Sequence, residues 1–272
     1  MRGEFIDVGG ARLYYYAAGT RGAGEPVVFL HGFLTSGHLW GDVVAQMAPG
    51  HRLVVTDLLG YGRSDPPGTR SLSLRAHAER VVGLLDALGI DVACIVGHGL
   101  GGGVAQSLAL DWPSRVSRLA LVNSVAFSGW RPRDVRLAQR LLPLVRQIPT
   151  HWLLPIVRAE LERGYYEPAR ATHSISRYQR PFVSDEGRNT LLRHLAALDE
   201  RETAALGSRL AGIQVPTSVI WGEHDGFLGL SLGARLAATI GATFDIAPDS
   251  RHFTPEDAPR VIADVLDALL KR

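Results

Sequence analysis

The sequence predicts an α/β fold: a mostly parallel eight-stranded sheet flanked by helices, with a helical insertion. Three observations carry this. Short β-branched apolar runs alternate with longer helical patterns. The 272 residues suffice for one large domain whose sheet is covered on both faces. The stretch between the sixth and seventh strand candidates is too long for a plain crossover and must hold structure of its own.

The elements follow in order. Residues 5–8 and 12–17, joined by Gly9-Gly10, read as an opening hairpin. Apolar strands follow at 26–31 (PVVFLH), 52–58 (RLVVTDL), 93–97 (ACIVG), 118–123 (RLALVN), 217–221 (TSVIW) and 243–247. Helical patterns fall at 74–88, 101–111 and 258–269, the first two punctuated by Gly89 and Pro113. The chain thus divides into a core, 1–125 and 207–272, and a helical cap, 126–206. The cap is rich in Leu, Arg and aromatic residues and interrupted by Pro132, Pro143, Pro149, Pro155, Pro168 and Pro181.

Composition removes several function classes. The formal charge is only +2 and arginines are scattered rather than clustered, so neither nucleic acid nor an anionic membrane is an expected partner. Cys94 is the single cysteine and sits in an apolar run, as a packed small hydrophobe; no intramolecular disulfide is possible. The first seven residues lack the apolar region of an export signal, and no apolar run is long enough to span a bilayer, so a cytoplasmic protein is expected. No HExxH-like spacing suggests a metal, and no cofactor is expected. The cluster Gly99-Leu100-Gly101-Gly102-Gly103 superficially resembles a dinucleotide fingerprint. It is preceded by several strands, however, and no acidic ribose partner stands at the required distance.

Four strand ends gather the residues that could do chemistry, since ligands of open α/β sheets bind at the carboxyl ends of the strands. Residues 94–102 (CIVGHGLGG) read as a strand, a tight turn and a helix, the layout GxSxG with Gly99 in the serine slot. His31-Gly32-Phe33 follows another strand, so the amides of Phe33 and Leu100 could form a two-donor hole for an oxyanion. Asp225 lies just past the strand TSVIW and is placed to orient an imidazole; its alternative role is to open an Asx turn toward Gly226. His252, in the loop after the last strand, suits proton transfer near neutral pH. His31 and His98 flank the pocket as hydrogen-bonding scaffold residues and candidate substrate contacts, whereas His51, His77 and His194 read as surface or helix-face residues. Trp152 and Tyr178, with Tyr165, Tyr166 and Phe182, are candidate lining residues from the cap, with ordinary cap core as the alternative.

With these residues placed, the chain resembles the α/β-hydrolase family over nearly its whole length. The order 99, 225, 252 matches that family's nucleophile, acid, histidine order. Residues 57–65 (DLLGYGRSD) are similar to the DxxGxGxSD loop of its esterase, epoxide hydrolase, haloalkane dehalogenase and carbon–carbon bond hydrolase branches, and the cap interrupts the chain where theirs does. The departure is Gly99, because branches with Ser, Cys or Asp there form a covalent intermediate and glycine cannot. Three accounts follow. His252 and Asp225 could act as a base on water or on a substrate C–H or O–H, giving water-mediated hydrolysis or lyase, isomerase or cyclase chemistry on a small, largely apolar carbonyl or ester compound. The chain could instead be a serine hydrolase whose serine has been replaced by Gly99, or a non-catalytic binder of small ligands.

Overall fold

The computed structural model describes residues 3–19 and 24–272; Met1 and Arg2, part of the segment read above for an export signal, lie outside them. The elements run β1 (Glu4–Val8), β2 (Ala11–Ala18), β3 (Val27–Leu30), α1 (Gly41–Gln46), β4 (Leu53–Thr56), α2 (Leu74–Ala87), β5 (Ala93–His98), α3 (Leu100–Asp111) and β6 (Val116–Val122). Six helices follow: α4 (Arg133–Arg140), α5 (Leu142–Val145), α6 (Thr150–Arg163), α7 (Pro168–Gln179), α8 (Asp185–Ala197) and α9 (Glu200–Gly207). The chain closes with β7 (Thr217–Gly222), α10 (Leu230–Ile240), β8 (Thr243–Ala247), α11 (Thr254–Asp257) and α12 (Pro259–Leu269).

The eight strands form one sheet in the order β1-β2-β4-β3-β5-β6-β7-β8. β1, β2 and β4 pair antiparallel; every other pair is parallel. Strands β3, β4 and β5 are buried at every position, which is why their sequences are unbroken apolar runs rather than alternating ones. The hairpin turn at Gly9 and Gly10 has positive φ at both positions, 59° and 73°, as a two-residue hairpin of the right twist requires.

Two differences from the sequence reading have local causes. β4 stops at Thr56 because the Asp57 carboxylate turns inward to accept from the amides of Gly37 (2.6 Å) and Arg63 (2.8 Å). Ser64 Oγ donates to the Asp57 carbonyl at 2.6 Å and accepts from the Tyr14 amide at 2.9 Å, so the 57–65 loop is a clasp on β2. Helix α10 carries no start signal in its sequence, because its Gly229 N-cap makes no side-chain bond, although Gly241 ends it in the left-handed conformation, φ 76°.

Candidate functional site

The site is built from the turn between β5 and α3. β5 lies between β3 and β6, so its carboxyl end opens at the centre of the sheet. There Gly99 adopts φ 54° and ψ −118°, a conformation L side chains rarely take. Its carbonyl accepts from the amides of Gly102 (3.1 Å) and Val125 (3.1 Å), tying the turn to the segment after β6. The turn is tight enough that a Cβ on Gly97 would lie 2.4 Å from the Gly101 carbonyl oxygen.

A Cβ on Gly99 would meet no such obstacle. Its nearest neighbours would be Gly32 Cα at 3.5 Å and His252 Nε2 at 3.6 Å, both ordinary contacts. His252 thus directs one ring nitrogen at the side-chain position of residue 99, and its other, Nδ1, lies 3.0 Å from Asp225 Oδ2. Asp225 is held on all sides: Oδ2 also accepts from Asn123 Nδ2 at 2.7 Å, and Oδ1 accepts from the amides of Phe227 (2.8 Å) and Leu228 (3.0 Å). The Asx turn and the histidine contact, posed as alternatives from sequence, use different oxygens of one carboxylate. Burial would push the Asp225 carboxyl up; the charge and hydrogen bond of His252, with the Leu228 and Asn123 donors, outweigh it and hold the carboxyl below the ordinary value.

The two neighbouring histidines are locked neutral. Burial depresses His31 to about 4, and its ring is satisfied in the uncharged form: Nδ1 donates to the Gly32 carbonyl at 2.9 Å and Nε2 accepts from the Leu58 amide at 2.9 Å. Burial, reinforced by the nearby His252, takes His98 down to about 3. Its Nε2 lies 2.9 Å from the His252 carbonyl, which only an N–H can face, so His98 props the His252 backbone from below.

Gly99, Leu100, Phe33 and His252 line one cavity of about 100 Å³, with Val125, Trp130, Val135, Leu161, Leu198, Phe227 and Phe253 among its apolar walls. Among the described residues, neither the Phe33 nor the Leu100 amide donates to a protein acceptor. A larger cleft of about 940 Å³ runs past Tyr14, Tyr16, Arg63, Arg177 and Arg180, but Gly99, Asp225 and His252 do not line it.

Several sequence expectations need correction. Trp152 is 67% exposed: α6 turns Leu153, Val157 and Leu161 inward at i, i+4 spacing, which puts Trp152 and Ile156 outside. Tyr178 is buried and donates its hydroxyl to Glu256 within the protein, away from the cavity. His31 and His98 are fully buried behind the cavity rather than exposed to a ligand. His77 and His194 are buried as well, the latter stacked on Tyr61 with ring centroids 3.8 Å apart. Sequence reasoning placed Asn123 only as a strand end. The signal that it does more is its φ of 42°, a conformation asparagine tolerates. No helix among the described residues is long and apolar enough to cross a membrane, and no group of His, Cys, Asp and Glu among them could hold a metal.

Comparison with known proteins agrees with this architecture. Residues 25–259 match the profile of the alpha/beta hydrolase fold family. A Cupriavidus necator protein named the dihydrolipoyllysine-residue acetyltransferase component of an acetoin cleaving system is 31% identical, over 99% of this chain and 68% of its own length. A Pseudomonas putida 2-hydroxy-6-oxononadienedioate/2-hydroxy-6-oxononatrienedioate hydrolase is also 31% identical, over 79% of this chain and 77% of that one. Among solved structures, an alpha/beta hydrolase fold protein from Burkholderia ambifaria superposes with a TM-score of 0.87 at 26% identity, covering 97% of this chain and 99% of the other. The eight-stranded sheet, the family profile and these relatives agree, and the chain belongs to the alpha/beta hydrolase fold family.

Proposed function

We propose that this protein is a hydrolase-like enzyme in which His252, oriented by Asp225, acts as a general base without a covalent nucleophile, Gly99 occupying the nucleophile position. The substrate is a small, largely apolar carbonyl or ester compound, held under the 126–206 insertion acting as a cap. Relatives named as hydrolases of oxo-dienedioates point to the same carbonyl chemistry. The observation that carries the reading is the 3.6 Å between His252 Nε2 and the Cβ position of residue 99. A water held there would give its proton to Nε2 and add to the carbonyl carbon, while the amides of Phe33 and Leu100 take the oxyanion. The imidazolium, stabilised by Asp225, then returns the proton to the leaving group. The same base could instead take a C–H or O–H proton from the substrate, giving lyase, isomerase or cyclase chemistry through an enolate on those amides.

One observation favours a second reading, a serine hydrolase whose serine has been replaced. A Cβ fits at residue 99, and one further C–O bond would bring a serine Oγ within hydrogen-bond reach of Nε2. Labelling with a fluorophosphonate and turnover of small carbonyl and ester compounds separate the two. If the base acts alone, the parent hydrolyses or rearranges a substrate without labelling, and His252→Ala loses about 10² to 10⁴-fold in rate. A parent inert toward every such substrate, with Gly99→Ser both labelled and active, replaces this reading with the second. A parent that binds ligand and turns none over even as Gly99→Ser makes it a binder.

A further inference from the structure

Two ionisable side chains line the cavity beside Gly99, and His252 is one of them; the other is Glu160, on α6. Glu160 is partly buried, 28% exposed, and shares a wall with Phe33, Trp130, Phe227 and Phe253. Only one of its oxygens is engaged: Oε2 accepts from Arg163 Nη1 at 2.7 Å, and among the described residues Oε1 has no hydrogen-bond partner. Arg163 is itself shared, pairing with Asp134 at 3.1 Å and lying over the Phe227 ring at 5.6 Å. Arg163 is thus divided between two carboxylates, those of Asp134 and Glu160. The other polar group on the wall is turned away, since Trp130 Nε1 donates to Thr203 Oγ1 at 2.7 Å.

A carboxylate accepts hydrogen bonds and donates none. A carboxylate that lines a largely apolar cavity and has one oxygen unengaged is complementary to a donor on the ligand and penalises a ligand that leaves it desolvated and unpaired. We infer that Glu160 is a specificity-determining residue that selects substrates carrying a hydroxyl or ammonium group at the end away from the reacting carbonyl. The inference rests on the reading of this cavity as the substrate site, and it names what that site distinguishes. Phe227, edge-on to the His252 ring with centroids 5.2 Å apart, lies between Arg163 and the base, so a ligand reaching both ends spans the cavity from the insertion to the core. A purely structural Glu160, serving only as the i, i+3 partner of Arg163, makes no demand on the ligand.

The test is calorimetric binding of matched ketones: cyclohexanone with its 4-hydroxy and 4-ammonio derivatives, and acetophenone with its 4-hydroxymethyl and 4-ammoniomethyl derivatives. In each set the donor-bearing member is expected to bind the parent about tenfold or more tighter than the plain ketone. Glu160→Gln should remove most of the ammonium preference while leaving plain-ketone affinity within about threefold. Arg163→Gln, which frees the second oxygen, should keep or strengthen the preference; a loss there equal to that in Glu160→Gln assigns the effect to the ion pair and overturns the inference. Equal binding of all three members overturns the role of Glu160 and leaves the cavity as the ligand site. Failure of every ketone to bind overturns the cavity reading and this inference with it.

Discussion

Asn123 donates to the same Asp225 oxygen that faces His252, at 2.7 Å, so the aspartate is fixed from the end of β6 as well as from its own loop. Asn123 is simultaneously an acceptor: its Oδ1 takes a hydrogen bond from Thr254 Oγ1 at 2.7 Å. Three loops, after β6, β7 and β8, are thereby pinned at one buried point. Asn123→Ala removes these bonds, together with a longer one from Nδ2 to the Arg251 carbonyl at 3.4 Å, and places a residue without a short polar side chain at positive φ. It is expected to cost about 1 to 3 kcal/mol of stability and to lower turnover with little change in ligand affinity. Denaturant unfolding and a kcat/KM split check this; an unchanged midpoint with unchanged kcat refutes it.

Alanine at the two glycines of the turn should fail in different degrees. Gly97→Ala drives a Cβ against the Gly101 backbone, which cannot step aside, and is expected to cost about 3 kcal/mol or more. Gly99→Ala meets open contacts and carries only the conformational strain of its φ, about 1 to 3 kcal/mol. Thermal or denaturant midpoints rank the two, and a Gly99→Ala protein less stable than Gly97→Ala would contradict the geometry of the turn.

Two buried aspartates should impose opposite pH dependences on stability. Burial pushes Asp57 up from 3.8 to about 6, against the Arg63 and Gly37 amides and the Arg63 charge, so the folded state holds its proton more tightly than the unfolded chain does. The stability it contributes is present in full below 3.8 and is lost as pH rises through about 6, a swing of about 3 kcal/mol. Asp225 is shifted downward, so its contribution is present above 3.8 and is lost as pH falls through its lower folded value. Unfolding free energies of the parent minus those of Asp57→Asn should therefore decline between about pH 4 and 7, and those of the parent minus Asp225→Asn should decline only in acid. A flat difference for Asp57→Asn across that range counts against the assignment.

Two aromatic residues of the insertion should separate folding from binding. Trp152→Ala, at an exposed position, is expected to change stability by no more than about 0.5 kcal/mol. Tyr178→Phe takes the hydroxyl donor from the largely buried Glu256 carboxyl and should cost about 1 to 3 kcal/mol. Neither should alter ketone affinity; a tenfold loss in either variant would put that residue at the ligand.

The sheet and the turn at Gly99 were legible because their cues are local: buried parallel strands are unbroken apolar runs, and the glycines at 97, 99 and 101 occur where backbone meets backbone or φ turns positive. His252 and Asp225 were legible because strand ends converge whatever the side chains in between. The cavity walls were not. On α6 both faces carry large apolar residues, Trp152 and Ile156 on one, Leu153, Val157 and Leu161 on the other, and only packing against the core decides which faces in. Glu160 was hidden for a related reason, since a glutamate three residues before an arginine reads as an ordinary helix-surface pair. Asn123 was hidden because its partner lies 102 positions away.

The two ends of the insertion lie together: the Thr203 hydroxyl donates to the Phe127 carbonyl, and Gly207 is packed so closely on Phe127 that a Cβ there would lie 2.8 Å from its ring. Gly99, Asp225 and His252 follow β5, β7 and β8, and none of them belongs to the insertion. Six residues of the cavity wall, Trp130, Pro132, Val135, Glu160, Leu161 and Leu198, thus come from a cassette whose two ends lie side by side, while Gly99 and His252 line the cavity from the framework. On the proposed reading, exchanging residues 126–206 for those of a relative should retune which molecules are admitted while His252 and Asp225 are left as they are.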